Sequence, residues 1–354
     1  MIVIDMKIIV DKNICKFEEL VPLIDDLKEL DFYHLNTEEI TNSFLLDAEI
    51  LFIRSTLKIN EDLLANTKIK FVGSATAGFD HIDQHYLENN NIAWFYSPGC
   101  NSSSVVHYVM SSISHLVNNN LFDMNDDIGI VGYGNVGRKL SKALTNVGIK
   151  NISYDPLLDL KNLKNFDDIK RCKLISFHIP LTVDSKFPTK NMINACLLKS
   201  FENKIIINTS RGEIADESEI LNNSNLIYIS DVWKNEPYPS IKMINHSYIS
   251  TPHIAGYSYD GKINGTINLF VELFRFLNFS SDSKIKNILF IKEFLQVKMI
   301  DEYPKNLSDY SQLFNTLKES NDFKNLIEGY SDKLPDNMFN DIRSKHPPRR
   351  DITP

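Results

Sequence analysis

At 354 residues the chain exceeds one ordinary domain and implies two or three. With 43% hydrophobic and 24% charged residues, and only 13 Gly and 13 Pro, it has the make-up of a globular protein with a buried core, which excludes collagen-like and low-complexity architectures. Its 38 Lys and Arg against 46 Asp and Glu leave a net charge of −8, so neither nucleic acid nor an anionic membrane is expected as a partner, and a small anionic substrate would have to be met by local arginines.

The first ten residues are apolar but broken by Asp5 and Lys7, which reads as a buried first strand rather than a signal peptide. Lys7–Val10, Ile50–Ile53, Ile69–Val72 and Ile92–Tyr96 are strand-like, and Phe17–Leu30 carries the apolar stripe of a helix. Ser97-Pro-Gly-Cys-Asn101 is turn chemistry, and Asn101–Ser104 offers N-caps for a helix reaching Val117. A second series starts at Asp127–Val131 and continues through strands at Asn151–Tyr154, Leu174–Phe177, Ile205–Asn208, Leu226–Ser230 and Tyr248–Ser250. Strands alternating with helices at this spacing imply parallel sheets. After Ser258 comes a long helix, Gly265–Asn278, then a polar linker, Phe279–Lys286, and a tail without βαβ rhythm ending in His346–Arg350. The four cysteines, Cys15, Cys100, Cys172 and Cys196, form no C-x-x-C pair and imply reduced thiols in the cytoplasm, with no metal site. No run of about 18 apolar residues suggests a membrane span.

Gly132-Tyr-Gly134-Asn135-Val136-Gly137 is a G-x-G-x-x-G element. Alone it is a weak signal, since a plain glycine turn has the same composition. Here a strand runs into it, an amphipathic helix over Val136–Val147 runs out of it, and Asp155 ends the next strand 155 − 137 = 18 residues on. That is the dinucleotide fingerprint: the glycines admit the pyrophosphate to a helix N-terminus, and the acid accepts the ribose 2′-hydroxyl while repelling a 2′-phosphate. NAD is therefore the expected cofactor.

Arg211, Glu236 and His253 each fall just after a strand, where open α/β sheets bind ligands. Singly, each has a structural reading: Arg211 as half of a salt bridge, Glu236 as a loop acid, His253 as a core histidine. Jointly they suit oxidation of a 2-hydroxy acid. The Arg clamps the carboxylate, the His takes the hydroxyl proton, and the Glu fixes the imidazole tautomer and steadies the imidazolium. His178 also follows a strand and is expected to border the nucleotide.

These residues, with Phe177–Leu181, Asn208–Gly212, Asp231–Pro237 and Thr251–Gly256, resemble the D-isomer-specific 2-hydroxyacid dehydrogenase family. Val72–His81, Ser97–Asn101, Thr251–Tyr257 and the extra C-terminal segment are similar to members acting on a phosphorylated four-carbon hydroxy acid in vitamin B6 biosynthesis. The resemblance implies two doubly wound Rossmann-like domains with an interdomain cleft. Residues 1–97 and 255–285 would form a discontinuous substrate domain, 98–254 the NAD-binding domain, and 286–354 a dimerisation segment of a homodimer. It implies Arg211, Glu236 and His253 as catalytic, and Ser55, Thr76 and Tyr257 as substrate contacts. Around NAD it places Gly132, Gly134, Asn135, Val136, Gly137, Asp155, Thr209, Ser210, Asp231 and Gly256. For the substrate phosphate the choices are Arg54, or Arg349 or Arg350 reaching over from a partner chain. Two rivals stay open: a dehydrogenase of another 2-hydroxy acid such as 3-phosphoglycerate or glycerate, and an NAD(H)-sensing binding protein.

Overall fold

The computed structural model describes residues 6–199, 204–297, 303–331 and 333–351, so the start of the first expected strand lies outside the described residues. The chain forms two compact units, residues 1–101 with 259–299, and 102–258 with 300–354.

The first unit holds β1 (Lys7–Asp11), β2 (Asp31–Leu35), β3 (Ile50–Ile53), β4 (Phe71–Ser74) and β5 (Ala93–Phe95), all parallel in the order β2-β1-β3-β4-β5. The second holds β6 (Ile128–Val131), β7 (Asn151–Tyr154), β8 (Leu174–Phe177), β9 (Ile205–Asn208), β10 (Ile227–Ser230) and β11 (Ile249–Ser250), parallel in the order β11-β10-β9-β8-β6-β7. Every residue of β3, β4, β6, β8 and β9 is buried, which is why these strands read as continuous apolar runs rather than alternating ones.

Two stretches depart from their sequence reading. The stripe over Phe17–Leu30 forms one α-helical turn, Phe17–Leu20, then two 3₁₀ turns, Val21–Leu23 and Asp25–Leu27. Pro22 lacks the N–H that would continue the α-helical ladder. The expected linker is instead the start of the helix Ser281–Phe294: the Ser280 side chain accepts the Ser283 N–H, so the polar run is an N-cap. Ile291 of this helix is buried in the core of the first unit.

Residues 303–351 pack on the second unit. Leu307, Tyr310 and Phe314 join one face of the sheet with Ile128, Ile130 and Ile207. Phe323, Ile327 and Phe339 join the other, with Val131, Ile175 and Ile206. Between them, the helix Thr316–Leu326 covers the edge strand β11, with Ser320 Oγ accepting the Ser250 N–H at 2.9 Å. An otherwise open strand edge is thereby occupied.

Candidate active site

β6 lies between β7 and β8, with Val131 opposite both Tyr154 and Phe177. The turns after these three strands emerge side by side where the strand order reverses, the usual ligand position of such sheets. Gly132 has φ +93°, and a Cβ there would meet the His178 carbonyl oxygen at 2.3 Å; one on Gly137 would meet the Gly132 oxygen at 2.0 Å. A Cβ on Gly134 would meet nothing within 4 Å. The outer glycines are thus required by packing, and the middle one leaves its backbone accessible. The helix that follows, Asn135–Asn146, has Gly134 as its N-cap and receives no side-chain cap there. Asp155, just past β7, accepts the Tyr133 N–H at 2.9 Å and the Leu157 N–H at 3.0 Å, which ties the acid to the glycine turn. These features fit a pyrophosphate at the helix N-terminus and a ribose at the acid.

Around this turn, His178 Nε2 lies 2.9 Å from Ser176 Oγ and its Nδ1 lies 3.4 Å from Thr209 Oγ1. Burial pushes the His178 pKa down to about 3, so the ring is neutral at ordinary pH. Ser210 Oγ donates to the Phe177 carbonyl at 2.6 Å and accepts the Ile179 N–H at 3.2 Å, pinning the β8 and β9 turns together.

The loops that carry the three catalytic candidates meet at one tryptophan. Arg211 follows β9, its Nη1 donating to the Ser210 carbonyl at 2.8 Å, while its own carbonyl accepts from Asn208 Nδ2 at 3.0 Å. At Gly212 a Cβ would stand 2.1 Å from the Trp233 oxygen, so this loop presses directly on the one after β10. Trp233, 1% exposed, donates its Nε1–H to the Thr251 carbonyl at 2.9 Å and its backbone N–H to Glu236 Oε1 at 2.8 Å. Glu236 Oε2 then meets His253 Nδ1 at 2.7 Å. Both side chains keep about a quarter of their surface exposed. Burial works against the Glu236 carboxylate, but His253, the hydrogen bonds from His253 and Trp233, and the charge of Arg343 hold it below the ordinary carboxylate range. An ionised carboxylate on Nδ1 fixes the imidazole and leaves Nε2 as its working nitrogen.

Asp231, 1% exposed, spends its carboxylate on the loop beyond β11. It accepts the Thr251 hydroxyl at 2.6 Å and the Ile254 and Ala255 N–H groups, each at 2.7 Å. Burial pushes this carboxyl up, opposed by His253 and those donors. Gly256 and Tyr257 continue the same loop, and the Tyr257 hydroxyl donates to the Ser344 carbonyl at 3.3 Å.

Ser55, Thr76 and Arg54 belong to the first unit. Ser55 is exposed in the turn after β3. Thr76 Oγ1 lies 2.8 Å from Ser74 Oγ and donates to the Gly78 carbonyl at 3.3 Å. Arg54 donates Nε to the fully buried Asp11 at 3.1 Å and Nη2 to Thr37 Oγ1 at 3.3 Å. Arg349 does not reach out toward a partner: its guanidinium donates to the Ser104, Ile254, Ala255 and Tyr257 carbonyls of its own chain. A pocket of about 740 Å³ beside the C-terminal helices is lined by Pro252, Phe323, Tyr330, Met338, Ile342 and His346 among others, and by none of the expected site residues. Sequence reading singles out neither Trp233 nor Arg343. The signal for Trp233 is Gly212, a glycine beside the candidate Arg211; Arg343 has none, standing 90 residues from the histidine it touches.

Residues 118–255 match the family described as D-isomer specific 2-hydroxyacid dehydrogenase, NAD binding domain. Among solved structures, NAD⁺-bound 3-phosphoglycerate dehydrogenase of Entamoeba histolytica superposes with a TM-score of 0.62 at 22% identity, over 85% of this chain and 100% of that one. D-Lactate dehydrogenase of Aquifex aeolicus gives 0.60 at 20%, over 80% and 98%. Fold, nucleotide turn and the Arg211, Glu236 and His253 loops thus define an NAD-dependent dehydrogenase of the 2-hydroxyacid class. The erythronate-4-phosphate dehydrogenase of Wigglesworthia glossinidia brevipalpis is 36% identical over 98% of this chain and 92% of its own, and that of Hahella chejuensis 37% over 80% and 76%. The chain belongs to the family of erythronate-4-phosphate dehydrogenases.

Proposed function

We propose that this protein oxidises 4-phospho-D-erythronate at its C2 hydroxyl to 2-oxo-3-hydroxy-4-phosphobutanoate, forming NADH, as a step of pyridoxal 5′-phosphate biosynthesis. The observation that carries the reading is the 2.7 Å contact of Glu236 with His253 Nδ1 in the same unit as the glycine turn, in a chain 36% identical to a named erythronate-4-phosphate dehydrogenase. NAD, when bound, supplies the hydride acceptor. His253 takes the C2 hydroxyl proton on Nε2, and Glu236 stabilises the imidazolium so formed. Arg211 holds the carboxylate next to the reacting carbon and polarises the C2 oxygen. Gly132, Gly134, Asn135, Val136 and Gly137 cradle the pyrophosphate and Asp155 takes the ribose, while Thr209, Ser210, Asp231 and Gly256 border the cofactor. Ser55, Thr76 and Tyr257 contact the substrate and Arg54 its phosphate.

The protein acts as a cytoplasmic homodimer. Free cysteines support the compartment. An exposed apolar stripe, Ile285, Leu289, Phe290 and Phe294 on the helix Ser281–Phe294, supports the assembly.

The test is oxidation of 4-phospho-D-erythronate, 3-phosphoglycerate and glycerate in turn, read first as NADH formation from NAD and then, with a 2-oxo acid added to reoxidise trapped NADH, as consumption of the hydroxy acid. The phosphoerythronate is expected to be preferred, and His253→Ala to lower kcat by about 10²–10⁴-fold while NADH still binds. Preference for 3-phosphoglycerate would keep the class and discard this substrate.

A further inference from the structure

The loop Thr251–Ser258 that carries His253 lacks regular structure, and His253 itself sits at φ +56°, a left-handed conformation that a residue with a Cβ does not choose unaided. The placement of its ring against Glu236 is therefore imposed by what holds the loop. Its N–H side is held by Asp231 through Ile254 and Ala255. Its C=O side is held by residues some 90 positions further along. Arg343 Nε donates to the His253 carbonyl at 3.0 Å. Arg349 Nη1 donates to the carbonyls of Ile254 at 2.8 Å and Tyr257 at 3.2 Å, and Nη2 to those of Ala255 and, on the helix Ser102–Asn118, Ser104 at 3.1 Å.

Each backbone carbonyl from His253 to Ala255, and that of Tyr257, thus ends on an arginine of the C-terminal segment. The segment is itself anchored. The Arg349 guanidinium lies 3.9 Å from the centre of the Phe314 ring, Ser258 and Arg349 form a parallel bridge, and Asp351 Oδ2 accepts the Ser104 and Ser258 hydroxyls at 2.7 and 2.9 Å. A planar guanidinium with five donors in a fixed fork suits several converging carbonyls, whereas an ammonium is a single flexible point.

We propose that residues 343–351 form an in-cis strap that fixes the acid/base loop, with Arg343 and Arg349 as positioning residues that set the His253 ring for proton transfer. The role as a catalytic aid rests on the dehydrogenase reading above; the mechanical hold on the loop does not. Arg343 lies near enough to Glu236 for its charge to favour the ionised carboxylate, so the strap steadies the histidine's partner as well.

The full-length chain carrying Arg343→Ala, Arg343→Lys or Arg349→Lys tests this by two readouts. In steady-state turnover, Arg343→Ala and Arg349→Lys are expected to lose at least tenfold in kcat with the KM for NAD within twofold of wild type. Arg343→Lys, which keeps a donor for the His253 carbonyl, is expected to recover most of the loss. In hydrogen–deuterium exchange, the peptide spanning residues 251–258 is expected to exchange at least tenfold faster in the two impaired variants, while the glycine-turn peptide is unchanged. A kcat within twofold of wild type in both, or unaltered exchange of the 251–258 peptide, overturns the strap. If Arg349→Lys fails to fold, the half-buried Arg343 decides the question alone. If the wild-type chain turns over no hydroxy acid, it is the proposed reaction that has failed, and exchange alone then upholds or overturns the strap.

Discussion

In both sheets the first strand of the series runs between the second and the third: β1 between β2 and β3, β6 between β7 and β8. The ligand position created by that reversal is furnished in opposite ways. Past β6 there is an open glycine turn at the start of a helix, with no side chain in front of Gly134. At the end of β1 there is a filled, charged corner. Buried Asp11 receives the Arg54 guanidinium, the Thr37 hydroxyl at 2.8 Å and the Asn13 N–H at 2.9 Å. One strand order therefore yields a mouth suited to a dinucleotide in one unit and a polar cluster in the other. Topology offers the position, and the residues after the strands decide its use.

The largest effect is expected at the glycines. Gly132→Ala and Gly137→Ala drive a Cβ to 2.3 and 2.0 Å from backbone oxygens, so each should cost about 4 kcal/mol or more, read as a fall in the urea midpoint. Gly134→Ala should cost less than about 1 kcal/mol, because the site is open and Ala replaces Gly only at an N-cap. It should nevertheless weaken NADH binding about tenfold, measured by fluorescence titration. Wild-type affinity in Gly134→Ala would mean that the open glycine is not what sets the two sheets apart.

Next comes Glu236→Gln, expected to lower kcat about 100-fold by removing the charge that steadies the imidazolium. It carries a pH signature too. The Glu236 carboxyl sits below its ordinary value in the folded protein despite burial, chiefly because of His253. The stabilisation this gives is complete above the unfolded value of about 4.3 and is lost as the pH falls through the lower, folded value. Wild type should accordingly lose more stability than Glu236→Gln in that acid window. Superimposable acid-unfolding curves for the two proteins would contradict this account.

The smallest effect is expected in the first unit. Arg54→Ala leaves Asp11 with its neutral donors but without its cation, at a cost of about 2 kcal/mol. Comparing the urea midpoint with the substrate KM separates the two roles of Arg54: a lower midpoint alone marks it as structural, and a raised KM marks contact with the substrate phosphate. An unchanged midpoint would show that the ion pair does not shape this corner.

The strands of the second unit were legible almost residue by residue, and Asn151–Tyr154, Leu174–Phe177 and Ile205–Asn208 coincide with β7, β8 and β9. β8 and β9 are buried throughout, and a strand buried on both faces is mostly apolar, a signal that fits inside a four-residue window; the edge strand β7 shows instead Ile152 and Tyr154 alternating with polar residues. The edge strand β2, Asp31–Leu35, left no such trace because it is only partly buried and carries Asp31 and His34 among its apolar residues. The helix Ser281–Phe294 was hidden by its own N-cap, where serines and an aspartate look like a linker. Among the site residues, Arg211, Glu236 and His253 were visible because each follows a readable strand.

The sequence by itself thus determined the parallel α/β architecture, the nucleotide turn with its acid, and the identity of the three catalytic candidates, since each is written in a short window of periodicity, turn chemistry or motif. Only the tertiary structure decided how those candidates are held. Gly212 presses on Trp233, Trp233 orients Glu236, Arg54 is drawn to Asp11, and Arg343 and Arg349 grip the loop around His253. Apart from the three-residue step from Trp233 to Glu236, these contacts join residues separated by about 20 to more than 90 positions. Hydrogen bonds and ion pairs of that range depend on where the packed elements bring the chain together, and no local pattern records it.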